Sequence, residues 1–191
     1  MDHLAKSALI TVDVQNDFVL PGAPSEIPGT MQVVPNIVRL AECFRAFRKP
    51  VIHMVRLYLP DGSNAERCRQ ELIRSGTKIV APGTEGSELV GNLLPNASIR
   101  LDSESLLKGE IQKIGPYDLV IYKPRWGAFY RTPLEDFLRK NVIDSLFLRT
   151  LSATDPDKIR EMARRREVCL QIGSKNPSYP PKIPRLKNRV K

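Results

Sequence analysis

Only three cysteines occur, Cys43, Cys68 and Cys169. An odd and small number builds no disulfide framework, and a reducing cytoplasm is the expected compartment. Histidine is scarcer still, with His3 and His53 alone, too few to build a histidine metal site, so no metal and no other cofactor is expected. No stretch reaches the roughly 18 apolar residues of a membrane-spanning helix, so no membrane partner is expected. Met1 to Lys6 lead straight into a strand-like stretch without the apolar region of a signal peptide. Aromatic residues make up 6% of the chain. Tyr179 is the last of them and the only one after Phe147, which leaves a nucleic acid no platform for base stacking. No GxGxxG or GxxxxGK[ST] follows a strand-like stretch, and Pro82-Gly83-Thr84-Glu85-Gly86 lacks both the lysine and the spacing. A nucleotide-binding domain is therefore not expected.

What is present is a chain of 191 residues, 41% hydrophobic and 27% charged, the size and composition of one globular domain. Its charge is unevenly placed. Leu146 to Lys191 hold 12 basic and 4 acidic residues, the first 145 residues 18 and 17. A nearly neutral body carries a basic end, as at a tail or a change in the origin of the sequence.

Ser7 to Val14 form an apolar, β-branched run suited to a parallel strand covered on both faces. A Pro- and Gly-rich loop from Asn16 to Gly29 follows. From Val34 to Arg48, Ile37, Val38, Leu40, Ala41, Phe44 and Phe47 recur at helical spacing. Pro50 stops that helix, and Val51 to Leu59 read as a second strand, completing a right-handed βαβ unit. A short helix is expected at Ala65 to Arg74 and one or two turns between Gly86 and Leu94. Tyr117 to Tyr122 form a third strand. Thr132, Pro133 and Glu135 mark a helix start at the N-cap, first and third positions, with the helix running from Pro133 to about Lys140. Asp144 to Thr150 begin a fourth strand. The alternation predicts an α/β fold, a three-layer α/β/α sandwich with a mainly parallel sheet. Beyond Phe147 a helix from Thr154 or Asp155 to about Arg166 and a short strand at Val168 to Ile172 are expected. From about residue 174 the apolar content is too low to order the chain. The division is thus 1–147 as the domain and 148–191 as a basic tail with missing sheet strands, which predicts a marginally stable fold with an exposed apolar edge.

In open parallel sheets, sites form beyond the carboxyl ends of strands. Asp13 in Asp13-Val14-Gln15-Asn16-Asp17-Phe18 stands at such an end, and Lys123 occupies the same place after the third strand. An acid and an amine meeting there form a proton-handling pair, each favouring the charged form of the other while burial opposes both. A loop aspartate and a solvated strand-end lysine are the alternatives.

Three segments together resemble the isochorismatase-like cysteine hydrolase family: Ala8 to Val19 (ALITVDVQNDFV), Ala81 to Pro95 (APGTEGSELVGNLLP) and Tyr122 to Asp144. Their order and spacing agree over roughly three quarters of the chain. The resemblance implies the three-layer fold, with Asp13 as catalytic aspartate and Lys123 as catalytic lysine. Phe18, Trp126, Phe129 and Thr132 would line the substrate pocket. The family's third catalytic member is a cysteine at a helix start after the next strand, where the helix end and a nearby lysine favour the thiolate. That thiolate attacks a carbonyl while the aspartate moves a proton and backbone amides hold the oxyanion.

Here the chain departs from the pattern. Leu148-Arg149-Thr150-Leu151-Ser152-Ala153-Thr154-Asp155-Pro156 contain no cysteine, and none occurs between Cys68 and Cys169. Agreement ends where the charge balance shifts, which suggests a frameshifted or replaced C-terminus. Cys43, in the C-terminal half of a helix, is expected to be structural, Cys68 an ordinary exposed thiol, and Cys169 a weak substitute nucleophile beside Arg164, Arg165 and Arg166. Ser152 and Thr154 have no histidine near in sequence to activate them. Nicotinamidase-like relatives hold a divalent metal through an Asp-x-His pair and a further His. Val51 stands where that Asp would be, so His53 is expected to be a core histidine. The expectation is therefore a hydrolase of a small amide or related molecule whose nucleophile is missing and whose activity is weak or lost. A noncatalytic binding protein with a basic interaction tail is the alternative. The partners to expect are a small-molecule substrate and, by the same resemblance, further copies of the chain.

Overall fold

In the computed structural model, residues 6–150 and the backbone of 169–170 are described, without the side chains of 149, 150, 169 and 170. Strands β1 (Ser7–Val12), β2 (Val51–Val55), β4 (Asp118–Tyr122) and β5 (Ser145–Thr150) carry the sheet. Two-residue strands β3 (Gln112–Lys113) and β6 (Cys169–Leu170) close its edges. The order is β3-β4-β2-β1-β5-β6, and every pairing is parallel except β3 with β4. The α/β sandwich with a mainly parallel sheet is thus the observed architecture.

The long strands are mostly apolar because both of their faces are covered. Side chains alternate across the sheet at period two. Leu9 and Val51 face helix α2 (Thr30–Ala46) with Val34, Ile37, Ala41 and Phe44, whose ring meets Phe147 edge-on at 5.2 Å. Ala8, Ile10, Ile52, Met54, Leu119 and Ile121 face the other way, against Leu134 and Leu138 of helix α5 (Leu134–Lys140). A third cluster, including Leu57, Leu89, Leu106 and Val120, fills the end of the sheet near α4 (Ser103–Leu107).

Helix α2 begins four residues earlier than its periodicity predicts. Gly29 takes the left-handed conformation before it, and the Thr30 hydroxyl donates to the Phe18 carbonyl at 3.3 Å. Those tertiary ties outweigh the amide that Pro35 removes. The predicted loop after Val14 opens with one helical turn, α1 (Asn16–Val19). The helix near residue 65 is α3 (Arg67–Arg74), and the expected turns are 3-10 turns at Glu85–Ser87 and Gly91–Leu93. Helix α5 starts one residue later than predicted, with Pro133 in the capping position. The Thr132 hydroxyl donates to the Ala128 carbonyl at 2.5 Å and stands 3.4 Å from the Leu134 amide, so it ties the helix to the preceding loop more than it caps it. The strand expected at Val168 to Ile172 is represented by β6. The expected helix at 154–166 and the Pro-rich end lie outside the described residues.

Candidate active site

Three charged residues follow directly on the carboxyl ends of three neighbouring strands: Asp13 after β1, Arg56 after β2 and Lys123 after β4. The ladder continues past the strands and fixes their heights. The Asp13 amide donates to the Met54 carbonyl at 2.9 Å and the Lys123 amide to the Val55 carbonyl at 3.0 Å. Parallel pairing of Val12 with Thr150 brings the end of β5 to the other side of Asp13. Asp13 has a positive φ of 58°, a left-handed conformation that aspartate tolerates better than most residues. It reverses the chain at the rim.

The structure brings Asp13 and Lys123 into contact. Lys123 Nζ donates to Asp13 Oδ2 at 2.9 Å, and the lysine is 1% exposed. Burial pushes the Asp13 carboxyl up, against the opposing pull of the Lys123 charge. Burial likewise pushes the Lys123 ammonium down, against the pull of Asp13. Both partners are thereby moved toward their neutral forms, which eases transfer of a proton between them or to a bound molecule. Asp13 Oδ1 is buried with no hydrogen-bond partner among the described residues.

Around the pair lies a network that the sequence reading missed. Gln15, fully buried, donates through Nε2 to the carbonyls of Arg56 (2.8 Å) and Ser87 (2.7 Å) and accepts from the Arg56 amide at 2.8 Å. Arg56, 1% exposed, donates through Nη1 to the Lys123 carbonyl and through Nη2 to the Asn64 carbonyl at 3.3 Å. Its Nη2 also lies 2.9 Å from Glu66 Oε1, and its guanidinium stands 4.7 Å from the centre of the Tyr58 ring. Glu66 in turn accepts from the Tyr58 hydroxyl at 2.6 Å. Desolvation and that bond raise the Tyr58 phenol well above its usual range. Arg56 stands after its strand just as Asp13 and Lys123 stand after theirs, and that position was the available signal.

The two N-terminal motifs meet here. Asn16 Nδ2 donates to the Glu85 carbonyl at 2.7 Å, and Gln15 bridges to Leu89. Asp17 Oδ2 accepts from the Val80 amide at 2.6 Å. Gly86 packs so closely on that carboxylate that a Cβ there would fall 2.1 Å from Asp17 Oδ2. The glycine of the PGTEG segment is what lets the second loop brace the first.

The other candidate residues differ in their surroundings. Phe18 is buried on the α2 side with the Arg69 guanidinium 5.3 Å from its ring. Phe129 is half-buried on the α5 side. Trp126 is 69% exposed, and Thr132 is half-buried against the Ala128 carbonyl. Cys68 is exposed as expected. Cys43 is also exposed, on the outer surface of α2, so it is not the packed structural residue expected there. Cys169, in β6, pairs through its backbone with Ser145 of β5, and its side chain lies outside the described residues.

His53 is a core histidine, fully buried, with Nδ1 2.8 Å from the Thr11 hydroxyl and Nε2 3.2 Å from Asp118 Oδ1. Both ring nitrogens are engaged and shut away from the rim, so this residue does not fit the metal of nicotinamidase-like relatives. Among the described residues no group of three or more His, Cys, Asp or Glu is placed to hold a metal ion. Nor is any helix among them long and apolar enough to cross a membrane.

A carboxylate and an ammonium thus meet at the carboxyl rim of the parallel part of the sheet. The Isochorismatase domain family matches residues 7–149, and the chain belongs to that family. Among relatives, a protein named as a probable inactive nicotinamidase from Arabidopsis thaliana is 31% identical over 144 residues, covering 74% of this chain and 64% of the relative. An N-carbamoylsarcosine amidase from Arthrobacter is 29% identical, covering 75% and 48%. The chain thus spans about half to two thirds of the length of these relatives. An isochorismatase family protein from Desulfovibrio vulgaris superposes with a TM-score of 0.68 at 31% identity, covering 86% of this chain and 78% of that one. The nicotinamidase/pyrazinamidase of Bacillus subtilis gives 0.61 at 25% identity, covering 90% and 88%.

Proposed function

We propose that this chain keeps the proton-handling half of an amide-hydrolysing site and lacks its nucleophile. Asp13 is the proton carrier and Lys123 its charge partner. Phe18, Trp126, Phe129 and Thr132 are the proposed pocket residues, and the substrate class is a small amide or related molecule. The 2.9 Å contact of Lys123 Nζ with Asp13 Oδ2 supports this reading most directly. The substrate class is supported by relatives named N-carbamoylsarcosine amidase and ureidoacrylate amidohydrolase. The loss is supported by the absence of cysteine between Cys68 and Cys169 and by the relative named as inactive.

In this reading residues 1–147 are the hydrolase domain, 148–191 are a replaced basic tail, and the protein works in the cytoplasm. The family match ends at residue 149, beside the point where the charge balance changes. Sequencing codons 140 to 191 and translating the other frames tests the replacement, and absence of a family-like continuation in either frame contradicts it. Turnover of a panel of small amides tests the activity. The expected result is background hydrolysis, unchanged by Cys43→Ala or Cys169→Ala. Vigorous hydrolysis abolished by Cys169→Ala alone overturns the assignment. The second reading, a noncatalytic binding protein, draws on the 12 basic against 4 acidic residues from Leu146 onward. It predicts salt-dependent nucleic-acid binding that is lost on deleting residues 175–191.

A further inference from the structure

Among the described residues, the Arg56 guanidinium is the second cation at the rim and is as deeply buried as Lys123. Burying a second positive charge beside an ammonium is costly, and such a charge persists where its bonds hold it firmly. Here they do. One arm donates to the Lys123 carbonyl, the other reaches Glu66 and the Asn64 carbonyl, and the plane lies over Tyr58. Its own amide is held by Gln15, so side chain and backbone are both fixed from the β1 loop. Its Nε is buried and has no partner among the described residues. Buried polar groups generally have their donors met, and this one is an exception.

We propose that Arg56 is a positioning residue for the Asp13–Lys123 pair. Its guanidinium fixes the Lys123 main chain at the rim and supplies a third charge that both partners feel, and Glu66 holds that guanidinium in place. The proposal rests on the reading of the pair as proton-handling and adds a residue to it. The charged groups facing Asp13 are Lys123 at the end of β4, Arg56 at the end of β2 and Glu66 before α3. Lys123 faces Asp13, Arg56 and Glu66. The Arg56 cation draws Asp13 toward its ionised form and presses Lys123 toward its neutral form. Glu66 acts in the opposite sense on both. Arg56 therefore gives the pair an asymmetry that two groups alone do not have.

The test is carbon-detected NMR titration of the Asp13 carboxyl in the full chain labelled at aspartate, with Asp13→Asn to assign the signal. Arg56→Met removes the charge and keeps a long stem. It is expected to move the Asp13 midpoint up by about half a pH unit or more, and Arg56→Lys to return it most of the way. Glu66→Gln removes the negative charge while keeping the side chain's size and one acceptor oxygen, and is expected to move the midpoint down. This variant carries the test if Arg56→Met does not fold. Lys123→Met, which tests the pair itself, is expected to move the midpoint up. An Asp13 midpoint unmoved by the Arg56 and Glu66 substitutions, while Lys123→Met still raises it, overturns the positioning role and leaves the pair standing. A midpoint unmoved by Lys123→Met overturns the proton-pair reading and this proposal with it.

Discussion

Strands β1, β2 and β4 carry two buried ionic clusters, and the two are finished differently. Within the sheet, Thr11, His53 and Asp118 line up across the strands and reach Arg45 of α2. Arg45 grips both Asp118 oxygens, through Nε at 3.1 Å and Nη2 at 2.7 Å, and sends Nη2 also to the Leu93 carbonyl at 2.6 Å. Both His53 nitrogens are met as well. At the rim, Asp13, Lys123, Arg56 and Glu66 leave Asp13 Oδ1 and Arg56 Nε without partners among the described residues. A fully satisfied buried network rigidifies a core, and a partly satisfied one lowers stability unless something else completes it. The first cluster ties the sheet to α2, and the second, the site proposed above, leaves an acceptor and a donor unmet.

Breaking the satisfied cluster should have the largest effect. Asp118→Ala strands a buried histidine and an arginine together and should cost about 3 kcal/mol or more in urea unfolding. Acid should read the same cluster with a smaller effect. Burial pushes the His53 imidazole down despite Asp118 beside it, so it is neutral in the fold and titrates near its ordinary 6.5 when unfolded. Below that value the unfolded chain binds the extra proton. Stability should therefore fall by up to about 1.4 kcal/mol per pH unit as pH drops from 6.5 toward the lowered folded value. Urea midpoints measured between pH 7.5 and 5 should show this slope in the wild type and lose it in His53→Gln. Burial also opposes the Asp118 charge, but the bonds from His53 and Arg45 hold its carboxyl below the usual range. Its loss comes at lower pH, on protonation below 3.8. The smallest effect should come from an ion pair outside both clusters. Lys108 and Glu104 meet at 2.7 Å but are 61% and 81% exposed, so Lys108→Ala should leave the urea midpoint unmoved.

Much of this was legible because period and position carry it. Apolar runs of strand length gave β1, β2, β4 and β5, and the charged residue at the end of a run gave Asp13 and Lys123. That the two rim residues share one edge followed from topology, since the parallel strands of one sheet place their carboxyl ends on the same side, here with β2 between β1 and β4. The rest depends on contacts distant in sequence. The turn at Asn16–Val19 and the early start of α2 are set by tertiary ties from Phe18 to residues near 27 and 30. The two-residue β3 has no periodicity to read. Arg56 falls inside the strand expected at Val51 to Leu59, whereas the observed strand ends at Val55. Cys43 was misjudged because a helix shows its stripe in sequence more clearly than the exact edge of that stripe.

The contrast between the clusters is tested most directly by urea unfolding of the double substitution Asp13→Asn with Lys123→Met. Replacing both members of the pair removes a buried ammonium together with its half-buried carboxylate partner, so neither is left behind uncompensated. The double variant should unfold at a urea concentration no lower than the wild type, while Asp118→Ala unfolds far earlier. A loss in the double variant as large as that of Asp118→Ala would show the rim pair to be a support of the fold, and would contradict the account.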